Sequence, residues 1–350
     1  MQFHLGSGFG LCRKVGAAAV LSLGGLSLSA PAAEAQEGAE FFKGKTVTYV
    51  VATGAGGGYD FYGRLVAEFM QRHIPGTTFV VKNMPGAGHM IGANYIYAAK
   101  GDGLTVGTFN TGLIYNQLVN LDGVRFDLGK YSWIGKAATE ARVVMLDAKS
   151  PYKSLADMRA AKTPLNWSAS GVGSAAYVET RFMIDLLGIP GKIIYGYSGN
   201  DELLAIRRGE IQAVVGSPSS YDTFLSSGYG RLAFQIGGKS QEGVPQLRDL
   251  VVNESAEARA VVALVESQVE IQRFTAGPPS IPADRLAVLR AGFRKAMEDP
   301  ELQAMAIKGG KPVDPVYGED VAKMIQTALN QPPAVVELLT SVLKDPKKEK

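Results

Sequence analysis

Two kinds of hydrophobic spacing alternate along most of the chain. Thr46 to Ala52 is a near-continuous β-branched and apolar run, the pattern of a strand buried on both faces. From Asp60 to Arg72 the apolar positions fall instead at Phe61, Leu65 and Phe69 and at Tyr62, Val66 and Met70. Those are two adjacent rows at i, i+4 spacing, and together they make one helical face. A strand at Thr78 to Lys82, a helix near Gly88 to Ala99 and a strand at Thr105 to Phe109 follow. The order βαβαβ predicts a parallel sheet with right-handed crossovers. A second set repeats it, with strands at Arg142 to Leu146, Leu165 to Ala169, Ile193 to Tyr197, Gln212 to Val215 and Arg231 to Ile236. Helices are expected between them at Ser154 to Ala161, Ser174 to Leu187 and Asn200 to Arg208. The last third turns helical: Pro282 opens a helix to Glu298, a short one runs through Leu302 to Ile307, and amphipathic stretches cover Glu319 to Leu329 and Ala334 to Leu343.

The first 35 residues have a different texture. Arg13 and Lys14 precede a small-residue apolar stretch from Val15 to Ala30, too short and too rich in Gly and Ser for a membrane span. Ala33-Glu34-Ala35 then supplies an A-x-A cleavage pattern, with Ala30-Pro31-Ala32 as the competing site, so residues 1–35 are expected to be a signal peptide and the product exported and soluble. Length and composition bound the rest. A chain of 350 residues with 46% hydrophobic content predicts about two domains, each with its own core. A formal charge of only +3 argues against a dedicated nucleic-acid binder. Cys12 and His4 lie in the leader, leaving His73 and His89 as the remaining histidines. A disulfide scaffold, a cysteine nucleophile and a thiolate metal site therefore lose their ligands, and neither metal nor cofactor is expected.

Candidate chemistry sits in the loops at the carboxyl ends of the strands, where open α/β sheets bind ligands. The first, Thr53 to Asp60, contains Gly57, Gly58 and Tyr59 and brings backbone N–H groups to a helix start. It is not a dinucleotide fingerprint, because the third glycine of G-x-G-x-x-G would fall at Tyr59, and no Gly-Lys-Ser/Thr follows to make a P-loop. The second, Ser170-Gly171-Val172-Gly173-Ser174, offers a neutral nest for an anion. A nucleophile elbow would need a glycine at Ser168. The third is Tyr197-Ser198-Gly199-Asn200, with Asn200 as a helix cap. Asn110 and Ser217 close two further strands, and Tyr59 and Tyr177 can offer a ligand both a ring face and a hydroxyl. Asp60 is expected to cap its helix, worth about 1 kcal/mol. His73 is expected at a helix C-terminus, His89 in solvent, and Trp133 and Trp167 in the core.

The ordered set Gly56-Gly57-Gly58-Tyr59-Asp60, Asn83-Met84-Pro85-Gly86-Ala87-Gly88, Asp102-Gly103, Ser170 to Ser174, Gly196-Tyr197-Ser198-Gly199, Arg208-Gly209-Glu210 and Ile281 to Arg285 resembles the periplasmic receptors of tripartite tricarboxylate transporters, the Bug-type solute-binding proteins. The resemblance covers nearly the whole chain after the leader. It implies a type II periplasmic-binding-protein fold of two α/β lobes with a ligand cleft between them. The expected division is 36–138 plus 237–350 for lobe I and 139–236 for lobe II. It implies no enzyme but a monomeric receptor that takes a small organic carboxylate to the membrane components of such a transporter. An α/β hydrolase- or isomerase-like enzyme is the alternative, with Asp60, Asp201 and Glu202 as its only candidate bases. Where many relatives place acids after the Arg-Gly-Glu turn, this chain has Gln212 and Gly216, so a ligand amino group is not favoured. The carboxylate is expected chiefly on Ser170 to Ser174, with Thr53 to Tyr59 closing over it.

Overall fold

The computed structural model describes residues 37–197 and 199–344. The expected signal peptide and Ser198 lie outside the described residues. The strands are β1 (Thr46–Val51), β2 (Thr78–Asn83), β3 (Thr105–Thr108), β4 (Ser132–Ala138), β5 (Arg142–Asp147), β6 (Leu165–Ala169), β7 (Gly191–Tyr195), β8 (Ala213–Gly216), β9 (Gly230–Ile236), β10 (Gln272–Gly277) and β11 (Val316–Tyr317). They form two sheets, ordered β11-β4-β10-β3-β1-β2 and β7-β6-β8-β5-β9.

The two sheets share one plan. In the first, β1 pairs in parallel with β2 and β3; in the second, β6 pairs in parallel with β7 and β8. Each then takes in one antiparallel strand that arrives from the other lobe: β10 lies between β3 and β4, and β5 between β8 and β9. The expectation of a parallel sheet is corrected at these two strands and at the edge of the first sheet, where the two-residue β11 runs antiparallel to β4. A strand entering directly from the neighbouring lobe, without a helical crossover, runs against its partners. Alternate side chains of β1 explain its unbroken apolar run. Val47, Tyr49 and Val51 enter one core cluster, and Val50 and Ala52 enter another on the opposite face.

The helices are α1 (Gly58–His73), α2 (Met90–Ala98), α3 (Gly112–Leu118), α4 (Leu155–Arg159), α5 (Ala175–Asp185), α6 (Asn200–Arg207), α7 (Pro218–Ser226), α8 (Leu247–Leu250), α9 (Ala256–Val269), α10 (Ala283–Glu298), α11 (Pro300–Lys308), α12 (Gly318–Leu329) and α13 (Pro333–Leu343). Within the span 237–350 that the sequence groups with the first lobe, α9 and α13 pack elsewhere. Val261, Val262 and Val265 of α9 and Leu339, Val342 and Leu343 of α13 join Trp167, Val178 and Phe182 over the second sheet. The apolar faces of α10 and α11 cover the first sheet through Leu289, Phe293, Leu302 and Ala306. Among the described residues no helix is long and apolar enough to cross a membrane.

Candidate functional site

A cleft of about 630 Å³, its open mouth included, runs between the two sheets. From the first sheet come Thr53 after β1, Gly57, Gly58 and Tyr59 around the start of α1, His89 before α2 and Asn110 after β3. The second contributes Arg142 at the start of β5, Ser170 after β6, Ser174 and Ala176 around the start of α5, and Tyr197, Gly199 and Glu202 around the start of α6. Val215, Gly216 and Ser217 at the end of β8, with Ser220 and Tyr221 of α7, complete it. Helix N-termini thus converge on one space, and the first N–H groups of a helix have no partner within it. The α1 cap is Gly57 and the α6 cap is Gly199, neither of which offers a capping side chain. At α5, Ser174 accepts from Tyr177 N at 3.2 Å and donates to the Gly171 carbonyl at 2.9 Å, so its hydroxyl is engaged with its own helix.

The remaining expected residues have other surroundings. Asp60 is not the N-cap; it lies in the first turn of α1 and accepts from Gly56 N at 3.0 Å, Arg64 Nε at 3.0 Å and Asn83 Nδ2 at 2.8 Å. Burial works to raise its carboxyl, but these donors outweigh it and hold Asp60 below the usual carboxylate range. Asn83 also donates to the Thr53 carbonyl at 3.1 Å, so the group positions the first loop from behind. Tyr177 is buried, its ring 5.9 Å from that of Tyr195. Gly171, Val172, Gly173 and Asn200 meet the opposite lobe. A side chain at Gly88 would strike the Val172 carbonyl, one at Gly173 the Asn116 amide, and one at Gly56 the Asn200 amide. Gly199, at φ 66°, is the sharpest case, because its missing Cβ would lie 2.2 Å from the Ala55 carbonyl. The glycines of these loops let the lobes approach backbone to backbone.

Three polar residues of the cleft were not among the expected ligand contacts, and of these only Glu202 was considered as a base of the enzyme alternative. Arg142 is buried and grips Glu179 at two points, Nε to Oε1 at 2.9 Å and Nη2 to Oε2 at 2.6 Å. Burial opposes its charge, yet Glu179 outweighs burial and keeps the guanidinium protonated. His89, expected in solvent, is buried instead. Its Nδ1 lies 2.8 Å from the Ala52 carbonyl and its Nε2 2.9 Å from Ser170 Oγ, across the cleft. A carbonyl only accepts, so Nδ1 holds the proton and Nε2 accepts from Ser170. Burial, assisted by the charge of Arg142, brings its pKa down to about 4 against the bond to Ala52. Glu202 is bonded by Ser168 and Tyr221, and burial pushes its carboxyl up to about 7 against those bonds and the pull of Arg142. Local sequence gave little warning. Arg142 opens an apolar strand and Glu202 sits in a helical first turn, where an acid is ordinary. For His89 the available signal was its place after the Pro85-Gly86-Ala87-Gly88 turn.

A sequence profile described as the tripartite tricarboxylate transporter family receptor matches residues 63–340. This chain belongs to that receptor family. A UPF0065 protein of Bordetella pertussis is 23% identical over 309 residues, 85% of this chain and 91% of its own length. A UPF0065 protein of Bordetella bronchiseptica is 38% identical over 97 residues, and that match spans only 28% of this chain and 26% of the relative. Among solved structures, the periplasmic binding protein BugD superposes with TM-score 0.72 at 16% identity, covering 85% of this chain and 97% of BugD. MatC of Rhodopseudomonas palustris, solved with bound malate, gives TM-score 0.68 at 18% identity, covering 86% and 99%. The two-lobed periplasmic-binding-protein fold expected from the sequence is therefore the fold observed.

In this receptor-family chain the crossover between lobes is itself a polar core. Arg273 of β10 is fully buried, donates from Nε to Glu140 Oε2 at 2.9 Å, and lies 4.1 Å from the ring centre of Tyr59. Glu140 also accepts from Ser219 N and Oγ at 3.0 and 2.7 Å, so the start of α7 is fixed to the crossover. Ser217 Oγ donates to Gln272 Oε1 at 2.9 Å, and Gln272 Nε2 to the Glu140 carbonyl at 2.6 Å. Among the described residues no group of three or more His, Cys, Asp or Glu side chains is placed to hold a metal ion.

Proposed function

We propose that the protein is a periplasmic solute-binding receptor. It captures a small organic carboxylate in the cleft and delivers it to the membrane components of a tripartite tricarboxylate-type transporter. The observation that carries this reading is the convergence of α1, α5 and α6 N-termini on one cleft, since helix N-termini and their dipoles favour an anion there. Family membership supports it, and the malate found in MatC makes a dicarboxylate the first solute to try. Export through residues 1–35 and a monomeric state complete the reading. We place α9 and α13 with the second lobe and residues 270–332 with the first.

One observation favours an enzyme: Ser170 and His89 are paired as a nucleophile and its base would be. The imidazole is oriented by the neutral Ala52 carbonyl instead of a carboxylate, and with a pKa near 4 it is a weak base at neutral pH, so the receptor reading is preferred. The test is a thermal-shift screen of mono- and dicarboxylates followed by recovery of the solute. A binding acid at 100 times its Kd is expected to add about 2.7 kcal/mol of stability, a few degrees in Tm, and to be recovered unchanged. Absence of any shift, or conversion of the acid, would overturn the reading.

A further inference from the structure

Glu202 is a cleft carboxyl held by hydroxyls alone. It accepts from Ser168 of β6 and Tyr221 of α7. Arg142 of β5 acts on it only through space, because its guanidinium is committed to Glu179 of α5 by the two-point contact. Across the cleft, His89 is neutral, with Nδ1 on the Ala52 carbonyl. On the Glu202 side, Tyr197 before α6 donates to Glu210 at 3.1 Å, and Asp201 in the same helical turn as Glu202 is exposed. One cation therefore faces two carboxyls before any solute arrives.

We propose that the cleft takes its carboxylate solute together with one proton, and that Glu202 is the group that receives it. The inference rests on the carboxylate-receptor reading above. A solute anion is a further negative charge in a space that closing lobes empty of water, and like charges repel more strongly as water leaves. The N-termini of α1 and α5 favour the anion, whereas that of α6 favours an ionised Glu202 in its own first turn. A proton from solvent settles the competition: solute carboxylate, proton and Glu202 carboxylate become a complex containing the Glu202 acid. Ser168 suits both forms, because its hydroxyl donates to a carboxylate and accepts from an acid. With Glu202 already near 7 in the empty cleft, the solute raises it further. The sign follows: affinity is level below about pH 7 and falls up to tenfold per pH unit above it.

The test uses the full protein and Glu202→Gln, with malate, succinate, adipate and benzoate as probes, all ionised across the range. Melting shifts are read at pH 6.5 and 8.5, and any acid that binds is titrated calorimetrically at pH 7.5 in two buffers of different ionisation enthalpy. At pH 7.5 the empty cleft already holds part of the proton, so the wild-type protein is expected to take up roughly 0.7 proton per acid and to lose about ten- to twenty-five-fold in affinity between the two pH values. Glu202→Gln, which keeps the shape and both hydroxyl partners, is expected to take up none and to bind equally at both. Its melting midpoint without acid checks its fold, and the wild-type uptake needs no variant. Uptake that survives in Glu202→Gln, or wild-type affinity indifferent to pH, overturns the proposal while leaving the receptor reading intact. If no probe shifts either protein at either pH, the carboxylate reading fails and this proposal with it.

Discussion

His89 shows how one side chain joins loop geometry to stability. Its backbone is left-handed, at φ 80°, a conformation that Asn and His tolerate better than most residues. The ring is neutral in the folded state, with a pKa near 4 in place of 6.5, so the unfolded chain takes up the proton first as pH falls. Stability from this group is complete above about pH 6.5 and declines down to pH 4, by up to roughly 3 kcal/mol. His89→Asn, which keeps the left-handed backbone but does not titrate, should flatten that part of the decline. Melting midpoints of both proteins between pH 7 and 4 measure it; parallel curves would refute the assignment.

At the scale of elements, Gly112 sets how closely α3 and α5 approach. Its φ is not in the left-handed region, and alanine is the better helix former by about 1 kcal/mol. A Cβ there would nevertheless lie 2.3 Å from Ala175 N, a backbone atom that cannot turn aside. Overpacking of that kind costs about 1–3 kcal/mol, so Gly112→Ala is expected to destabilise despite its propensity, by denaturant unfolding. An unchanged or raised midpoint would show that the two helices part freely. The same close approaches decide what Gly173 does. A Val there would meet Asn116 and a φ of 81° before any solute, so loss of affinity in that variant would report lobe contact.

Over the whole molecule, the crossover network connects lobe position to the cleft wall. Glu140 reaches Arg273, Ser219 and, through its carbonyl, Gln272, while Arg273 packs beneath the Tyr59 ring that lines the cleft. Removing one partner of a buried pair strands the other charge, which costs about 3–5 kcal/mol. Glu140→Gln keeps the shape but strands Arg273, so urea unfolding should show a loss of that size; a loss under 1 kcal/mol would mean water reaches the crossover.

Strands and helices whose periodicity is set by burial were legible along the chain: the β1 run with both faces covered, the two-row face of α1, and the paired α/β units. The sequence also located the glycine-rich strand ends that became cleft walls, with Thr53, Gly57, Gly58, Tyr59, Asn110, Ser170, Ser174, Tyr197, Gly199 and Ser217 all on them. β4, β10 and α9 escaped notice, since strands that cross between lobes and a helix in a long connection lack the regular α/β alternation around them. The direction of β5 and β10, the packing of α9 and α13 on the second sheet, and the charges in the cleft emerged only with the three-dimensional fold. Distance along the chain separates the two groups. Arg142 is 37 residues from Glu179, His89 is 81 from Ser170, and Glu140 is 133 from Arg273. Whether a carboxyl lies beside a cation or a hydroxyl, and whether water reaches it, is fixed when two lobes close, and no local pattern records that.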